Sequence, residues 1–124
     1  MKIKTAKITT IASLVALVTA CGSDIRTMAE INTMSLSEVA TFTCNTIKEA
    51  NLEQAKIFFE KSQYADFKKE YQKEADTWEQ NATSMDCTVK SSKETKSYTR
   101  FKFIKGIDSV KVKKINGNYI VALG

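Results

Sequence analysis

The chain of 124 residues has no histidine and no proline, and only four glycines. Histidine is the commonest metal ligand and the usual proton-transfer group near neutral pH, so its absence removes the most familiar metal and catalytic sites. The sequence also lacks a glycine-rich phosphate loop and a serine-centred elbow, and we therefore predict no catalytic residue, no metal and no cofactor. Without proline, turns depend on Gly, Asn and Ser. The apolar stretch at residues 8–18 has 11 residues, whereas a membrane span needs roughly 20.

The N-terminus has the organisation of an export signal. Lys2, Lys4 and Lys7 precede the short apolar stretch, and small residues follow it in the sequence Val-Thr-Ala-Cys at positions 18–21. A basic region, a short apolar region and small residues at the boundary are typical of a secretory signal peptide. The boundary resembles the lipobox of bacterial lipoproteins. This resemblance implies that residues 1–20 are cleaved and that Cys21 receives fatty acids such as palmitate; the alternative is a plain signal peptide that precedes a cysteine.

The residues after Cys21 add an expectation about location. In lipoproteins of Gram-negative bacteria, Asp at the next position favours retention in the inner membrane, and here Gly22 and Ser23 follow. The resemblance therefore implies a lipid-anchored protein of the cell envelope. In a Gram-negative host it would lie in the outer membrane, facing the periplasm or the cell surface.

Charge is unevenly distributed along the chain. Residues 21–89 contain 7 basic and 12 acidic residues, whereas residues 90–124 contain 9 basic and 2 acidic ones. The mature chain is nearly balanced overall, so nucleic acid is not predicted as a partner. The basic excess belongs to the strand-rich end. It indicates either a solvated face or a patch for anionic lipid headgroups or an acidic partner, formed by Arg100, Lys102, Lys111 and Lys113.

The cysteines divide by their expected chemistry. If Cys21 carries lipid, then Cys44 and Cys87 remain as an even pair in an oxidising compartment. Such a pair predicts a disulfide. Two buried free thiols are the alternative.

Helical patterns occupy the first half of the mature chain. Residues 22–34 are predicted as a tether, although the spacing of their apolar residues also fits a short helix. Ser35 and Glu38 match a capping box and predict a helix over 36–49. A second, short helix is predicted over 52–59, and a third over 64–81. The third carries a stripe that is more typical of a core than of a ligand site: Tyr64, Phe67, Tyr71, Ala75 and Trp78.

Strand patterns follow the helices. A weak strand is predicted at 87–90, and alternating strands at 97–104 and 107–114. Asn116-Gly117 predicts a hairpin that returns through a strand at 119–123. Two to three helices followed by an antiparallel meander predict an α+β fold, with the helices packed on a curved sheet of three to four strands. The predicted organisation is a signal at 1–20, a lipidated cysteine and tether at 21–34, and one domain at 35–124.

The motifs that open the helices and the last strand resemble a known superfamily. They read Leu-Ser-Glu-Val at 36–39, Asn-Leu-Glu-Gln-Ala-Lys at 51–56 and Ile-Asn-Gly-Asn-Tyr-Ile-Val at 115–121. Together they resemble small lipoproteins of the cystatin-like, or nuclear-transport-factor-two-like, superfamily, with Tyr119 where many relatives carry Trp. The resemblance implies a cone-like sheet against helices, sometimes with a pocket. Enzymes of this superfamily use His-Asp or Asp-Tyr groups, and Asp66, Asp86 and Asp108 lie in no such constellation here.

Three classes of function fit these patterns. The first is a non-catalytic envelope lipoprotein that binds an unidentified protein or small molecule. The second is an immunity or inhibitor protein that blocks a toxin or lytic enzyme, which a flat charged patch with a protruding loop would favour. The third is an enzyme on the pocketed fold, which a deep pocket lined by Tyr and Asp would favour.

Overall fold

Five helices precede a four-stranded antiparallel sheet in a computed structural model that describes residues 25–123. The strands follow one another in the order β1-β2-β3-β4, so the predicted α+β fold is confirmed. The predicted signal peptide and Cys21 lie outside the described residues. The helices are α1 Met28–Ile31, α2 Leu36–Lys48, α3 Leu52–Phe58, α4 Lys61–Lys73 and α5 Ala75–Ala82. The strands are β1 Asp86–Glu94, β2 Thr99–Lys105, β3 Ser109–Ile115 and β4 Asn118–Leu123.

Side-chain caps set the starts of the first three helices. The hydroxyl of Ser35 accepts a hydrogen bond from the backbone N–H of Glu38, whose carboxylate accepts from the N–H of Ser35. Thr27 and Glu30 form the same reciprocal box at α1. Each box satisfies two backbone donors that a helix otherwise leaves free. Asn51 caps α3, so the predicted starts of α2 and α3 are confirmed.

The segment predicted as a tether is packed against the domain from residue 25 onward. Ile31 of α1 is fully buried. The side chain of Asn32 donates to Asn118 and accepts from the backbone N–H of Tyr119, and the Tyr119 hydroxyl donates to the Met34 carbonyl at 2.7 Å. The packed unit therefore begins ahead of residue 35, and the described part of the tether is the short helix that its spacing also fitted.

The third predicted helix is two helices. It begins earlier than predicted, at Lys61, and is interrupted at Glu74, where φ and ψ are −122° and 25°. A hydrogen bond with Glu70, together with desolvation and the Glu70 charge, raises the pKa of Glu74. The interruption thus brings two acidic side chains, Glu70 and Glu74, against each other. After the break, Trp78 still packs on Phe67, with ring centroids 5.8 Å apart.

The core lies between α2 and the inner face of the sheet. Six inward side chains of the sheet are buried there, and α2 contributes Val39, Ala40 and Ile47. A disulfide joins Cys44 of α2 to Cys87 of β1, which confirms the predicted pairing and fastens the helix to the first strand. The inward residues of the sheet are Phe101, Phe103, Val110, Val112, Tyr119 and Val121.

The two edges of the sheet differ. At the β4 edge, Phe59 forms an isolated parallel bridge with Val121, and the side chain of Gln63 accepts a hydrogen bond of 3.0 Å from the N–H of Leu123. The β1 edge has no such cover from the described helices. None of the helices within residues 25–123 is long and apolar enough to cross a bilayer.

Candidate functional site: the basic outer face of the sheet

The register of the sheet collects the predicted basic residues on one face. In β2, Phe101 and Phe103 are buried under the helices, so Arg100 and Lys102 point to the opposite side because side chains alternate along a strand. In β3, Val110 and Val112 are likewise buried. The cations between and beyond them, Lys111 and Lys113, therefore share the outer face with Arg100 and Lys102.

Three cations lie in a row across three strands. Arg100 is the direct partner of Lys111 on β3 and of Lys93 on β1. Like charges directly opposite each other in a sheet destabilise the pairing. Within residues 25–123, no carboxylate oxygen lies within 4.0 Å of these cations. The described part of the fold therefore keeps a concentrated positive charge at this position without an ion pair to offset it.

Tyr98 partly compensates the repulsion. The guanidinium carbon of Arg100 lies 5.8 Å from the centroid of the Tyr98 ring, and Nζ of Lys111 lies 5.2 Å from it. A ring face is electron-rich and attracts cations at these distances by about 0.5–1 kcal/mol at exposed sites. Tyr98 was not among the residues predicted for the basic face, because only the register shows that its ring serves both cations.

The guanidinium of Arg100 has a donor without a hydrogen-bond partner among the described residues. Its side chain is half-buried, Nη2 lies 3.5 Å from the hydroxyl of Tyr98, and Nε is buried without a hydrogen-bond partner among the described residues. A guanidinium offers planar donors that match a carboxylate or a phosphate. Together with Lys111, Arg100 is suited to hold an anionic group by charge-assisted hydrogen bonds.

A separate open groove of about 1020 Å³ lies between α2 and β1. Polar and apolar side chains of α2 and of the adjoining elements line it, and neither Tyr nor Asp is among them. The lining that would favour an enzyme is therefore not found in this groove. Its walls include Arg26, Met34, Glu38, Phe42, Asn45 and Val89.

The three aspartates considered as catalytic candidates lie on different segments and are exposed. Asp66 lies on α4, Asp86 opens β1, and Asp108 lies between β2 and β3. Hydrogen bonds from Thr88, including one of 3.0 Å from its backbone N–H, hold the pKa of Asp86 below its usual range. Asp86 therefore stabilises the start of its own strand. Across residues 25–123, no group of three or more His, Cys, Asp or Glu residues could hold a metal ion.

Comparison with known proteins adds no relative. No protein-family model matches the chain, and no curated protein or solved structure shows significant similarity to it.

Proposed function

We propose that this chain is a lipid-anchored lipoprotein of the bacterial envelope whose domain binds an anionic partner through the outer face of its sheet. The observation that carries the binding proposal is the pair of facing cations, Arg100 and Lys111, which share Tyr98 and have no carboxylate partner among residues 25–123. A like-charge pair lowers stability, and a role in binding accounts for its presence. The anchor rests on the lipobox resemblance at Cys21 and on the disulfide, which fits an exported chain.

We propose a non-catalytic role for the domain. The exposed aspartates lie on three different segments, and the open groove is lined on one side by the outward side chains of α2, most of them polar. The likeness to the cystatin-like superfamily supports a binding scaffold of helices on a curved sheet. Localisation in the outer membrane of a Gram-negative host, by the sorting expectation at Gly22, belongs to the same proposal.

A second candidate is the inhibitor or immunity class, and one further observation favours it. The β1–β2 hairpin projects with residues 90–97 exposed, and its turn is ordered by the Thr95 hydroxyl and N–H, which both donate to the Tyr98 carbonyl at 2.8 Å. A charged face beside an ordered projection is suited to enter and block a cleft. In this class the partner is a toxin or lytic enzyme whose activity falls when the domain is added.

The anchor is tested by mass spectrometry of protein extracted from membranes. The expected mass is that of a chain beginning at an acylated Cys21, and a Cys21→Ser variant is expected to leave the membrane fraction. An unmodified chain that begins at another residue would contradict the lipoprotein proposal.

The binding face is tested by site-specific photo-crosslinking in intact cells. A photoreactive residue in place of Lys102 is expected to give a discrete adduct, and the same residue in place of Lys69, an exposed cation on α4, is the matched control. Arg100→Glu is expected to abolish the Lys102 adduct. An adduct that survives Arg100→Glu, or that forms equally from position 69, would contradict binding at the basic face.

A further inference from the structure

The point at which the chain enters the domain is fixed by two hydrogen bonds. The backbone N–H of Arg26 donates to Oε1 of Gln54 at 2.7 Å, and Nε2 of Gln54 donates to the Arg26 carbonyl at 2.9 Å. Gln54 lies on α3 and is 2% exposed. A buried amide that satisfies both polar groups of one residue leaves that residue little freedom. The backbone at Arg26 is therefore held on α3.

Little chain remains between this clamp and the proposed lipid. Cys21 precedes Ile25 by four residues, which reach about 14 Å when fully extended. An acylated Cys21 lies at the surface of the bilayer. The anchor therefore keeps the side of the domain around Arg26 and α3 close to the lipid headgroups, and a flexible excursion of the domain away from the membrane is excluded.

Two exposed isoleucines lie on the same side of the domain. Ile57 is one turn beyond Gln54 on α3 and is 40% exposed, and Ile115 at the end of β3 is 43% exposed. Both line one cleft of about 450 Å³ that also includes Met28 of α1. Large apolar side chains that remain exposed around one cleft are a feature of interaction surfaces.

We propose that this cleft rests on the lipid bilayer, so that the domain stands end-on with Ile57 and Ile115 among the headgroups. The proposal rests on the lipid anchor proposed above, because the short chain from Cys21 brings this side to the membrane. Glu60 lines the cleft, and Lys114 lies beside it, with Nζ 4.5 Å from the centroid of the Tyr119 ring. Glu60 is the charged residue among those that line the cleft, so the contact proposed between the cleft and the lipid is an apolar one.

End-on docking determines where the basic face is presented. Along β3, at about 3.3 Å per residue, Ser109, the partner of Lys102, lies roughly 20 Å from Ile115. Salt at physiological strength screens charges over about 8 Å. Lys102 and the Arg100–Lys111 pair therefore lie beyond the field of the headgroups, whereas Lys113, two residues from Ile115, lies within it. For Lys102 and the Arg100–Lys111 pair, this orientation selects an acidic protein surface above the membrane.

The orientation is tested with the full lipidated protein in phosphatidylcholine vesicles. Single cysteines that replace Ile57 or Ile115 carry a bimane label, and Ile104→Cys is the matched control, because Ile104 is an exposed isoleucine (55%) at the far end of the same sheet. The added thiol is the free one, since Cys44 and Cys87 are joined and Cys21 is acylated. Brominated phosphatidylcholine is expected to quench the labels at 57 and 115 and to leave the label at 104 unchanged.

The outcomes separate this inference from the function it rests on. A chain without acyl groups on Cys21 by mass spectrometry overturns both. With Cys21 acylated, quenching at position 104, or no quenching at positions 57 and 115, overturns the end-on orientation alone. Adding phosphatidylglycerol is expected to leave the pattern unchanged, and a switch of quenching from 115 to 104 on its addition would show that the basic face docks on anionic lipid instead.

Discussion

The indole N–H of Trp78 donates a hydrogen bond of 3.0 Å to the backbone carbonyl of Ile47. This contact joins α5 to the last turn of α2, where helix carbonyls lack their usual partners. The carbonyl also accepts from the backbone N–H of Ala50, so it is not left unpaired if Trp78 is replaced. Trp78 is thus both a packing residue against Phe67 and a hydrogen-bond donor.

Trp78→Phe is expected to lower the free energy of unfolding by about 0.5–1.5 kcal/mol, since it removes one hydrogen bond and keeps an aromatic ring. Urea denaturation followed by far-ultraviolet circular dichroism measures the change. Tyr64→Phe, at another half-buried aromatic of the same helical region, is the control and is expected to change stability by less than about 0.5 kcal/mol. Equal losses in the two variants would contradict a specific role for the indole.

Removal of the disulfide is expected to lower the free energy of unfolding considerably more than Trp78→Phe does. Cys44 and Cys87 are separated by 43 residues, and closure of a loop of this length stabilises a fold by roughly 4 kcal/mol in the chain-entropy model. The double variant Cys44→Ala, Cys87→Ala should lose most of that amount in urea denaturation. Dithiothreitol should shift the wild-type transition and leave that of the double variant in place. A wild-type transition that dithiothreitol does not move would contradict this expectation.

Replacing Lys111 by an acidic residue is expected to give a more stable protein than replacing it by a neutral one. Lys111→Glu and Lys111→Gln both remove the contact with Tyr98, but only the first places an acid opposite Arg100. Opposite charges at facing sheet positions contribute about 0.2–1 kcal/mol. The Glu variant should therefore unfold at higher urea than the Gln variant at low salt, and the difference should shrink at high salt. A Gln variant of equal or greater stability at low salt would show that the cations do not repel each other.

Stability is expected to depend on pH at the junction of α4 and α5. Because the pKa of Glu74 is raised beside Glu70, the folded chain binds this proton more tightly than the unfolded chain does. Stability contributed by the protonated group is present at low pH and is lost as pH rises through the raised pKa. Glu74→Gln should therefore unfold at higher urea than the wild type near neutral pH.

The same comparison repeated at acidic pH provides the check. Below the ordinary pKa of glutamate, wild type and Glu74→Gln should unfold at the same urea concentration, because Glu74 is then protonated in both states. Glu79→Gln, an exposed change on α5, controls for the loss of one negative charge. An advantage of Glu74→Gln that persists at acidic pH would indicate a cause other than its proton.

Helices that begin with a capping motif could be predicted from the sequence. The helix break at Glu74 and the full length of β1 could not, because they depend on tertiary contacts. The Ser35–Glu38 box and the Asn51 cap placed the starts of two helices correctly. The break at Glu74 carries no Gly or Pro, and the aromatic spacing continues through it, so periodicity indicated one helix. β1 extends to Glu94 through exposed Ser and Lys residues, which lack alternation and are held by pairing with β2.

The basic face could be predicted in part, because it too depends on a local sequence pattern. Alternation of apolar and basic residues placed Arg100, Lys102, Lys111 and Lys113 outward, and the buried partners in β2 and β3 agree with that placement. The alternation could not show that Arg100 faces Lys111, because register depends on how two strands align. The groove between α2 and β1 and the cleft at Ile57 and Ile115 join residues distant in sequence, and no local pattern indicates them.

The open edge of β1 has a consequence for crowding. A lipid anchor would confine many copies to the plane of a membrane. Exposed edge strands of neighbouring copies would then meet often, and such strands can pair with one another and aggregate. The β4 edge is closed by Phe59 and Gln63. Along β1, exposed Lys90 and Lys93 and the irregular register around Val89 make the edge a poor template for a neighbouring copy. If the proposed lipid anchor holds, the first strand would thus allow dense packing of single copies on one membrane without polymerisation.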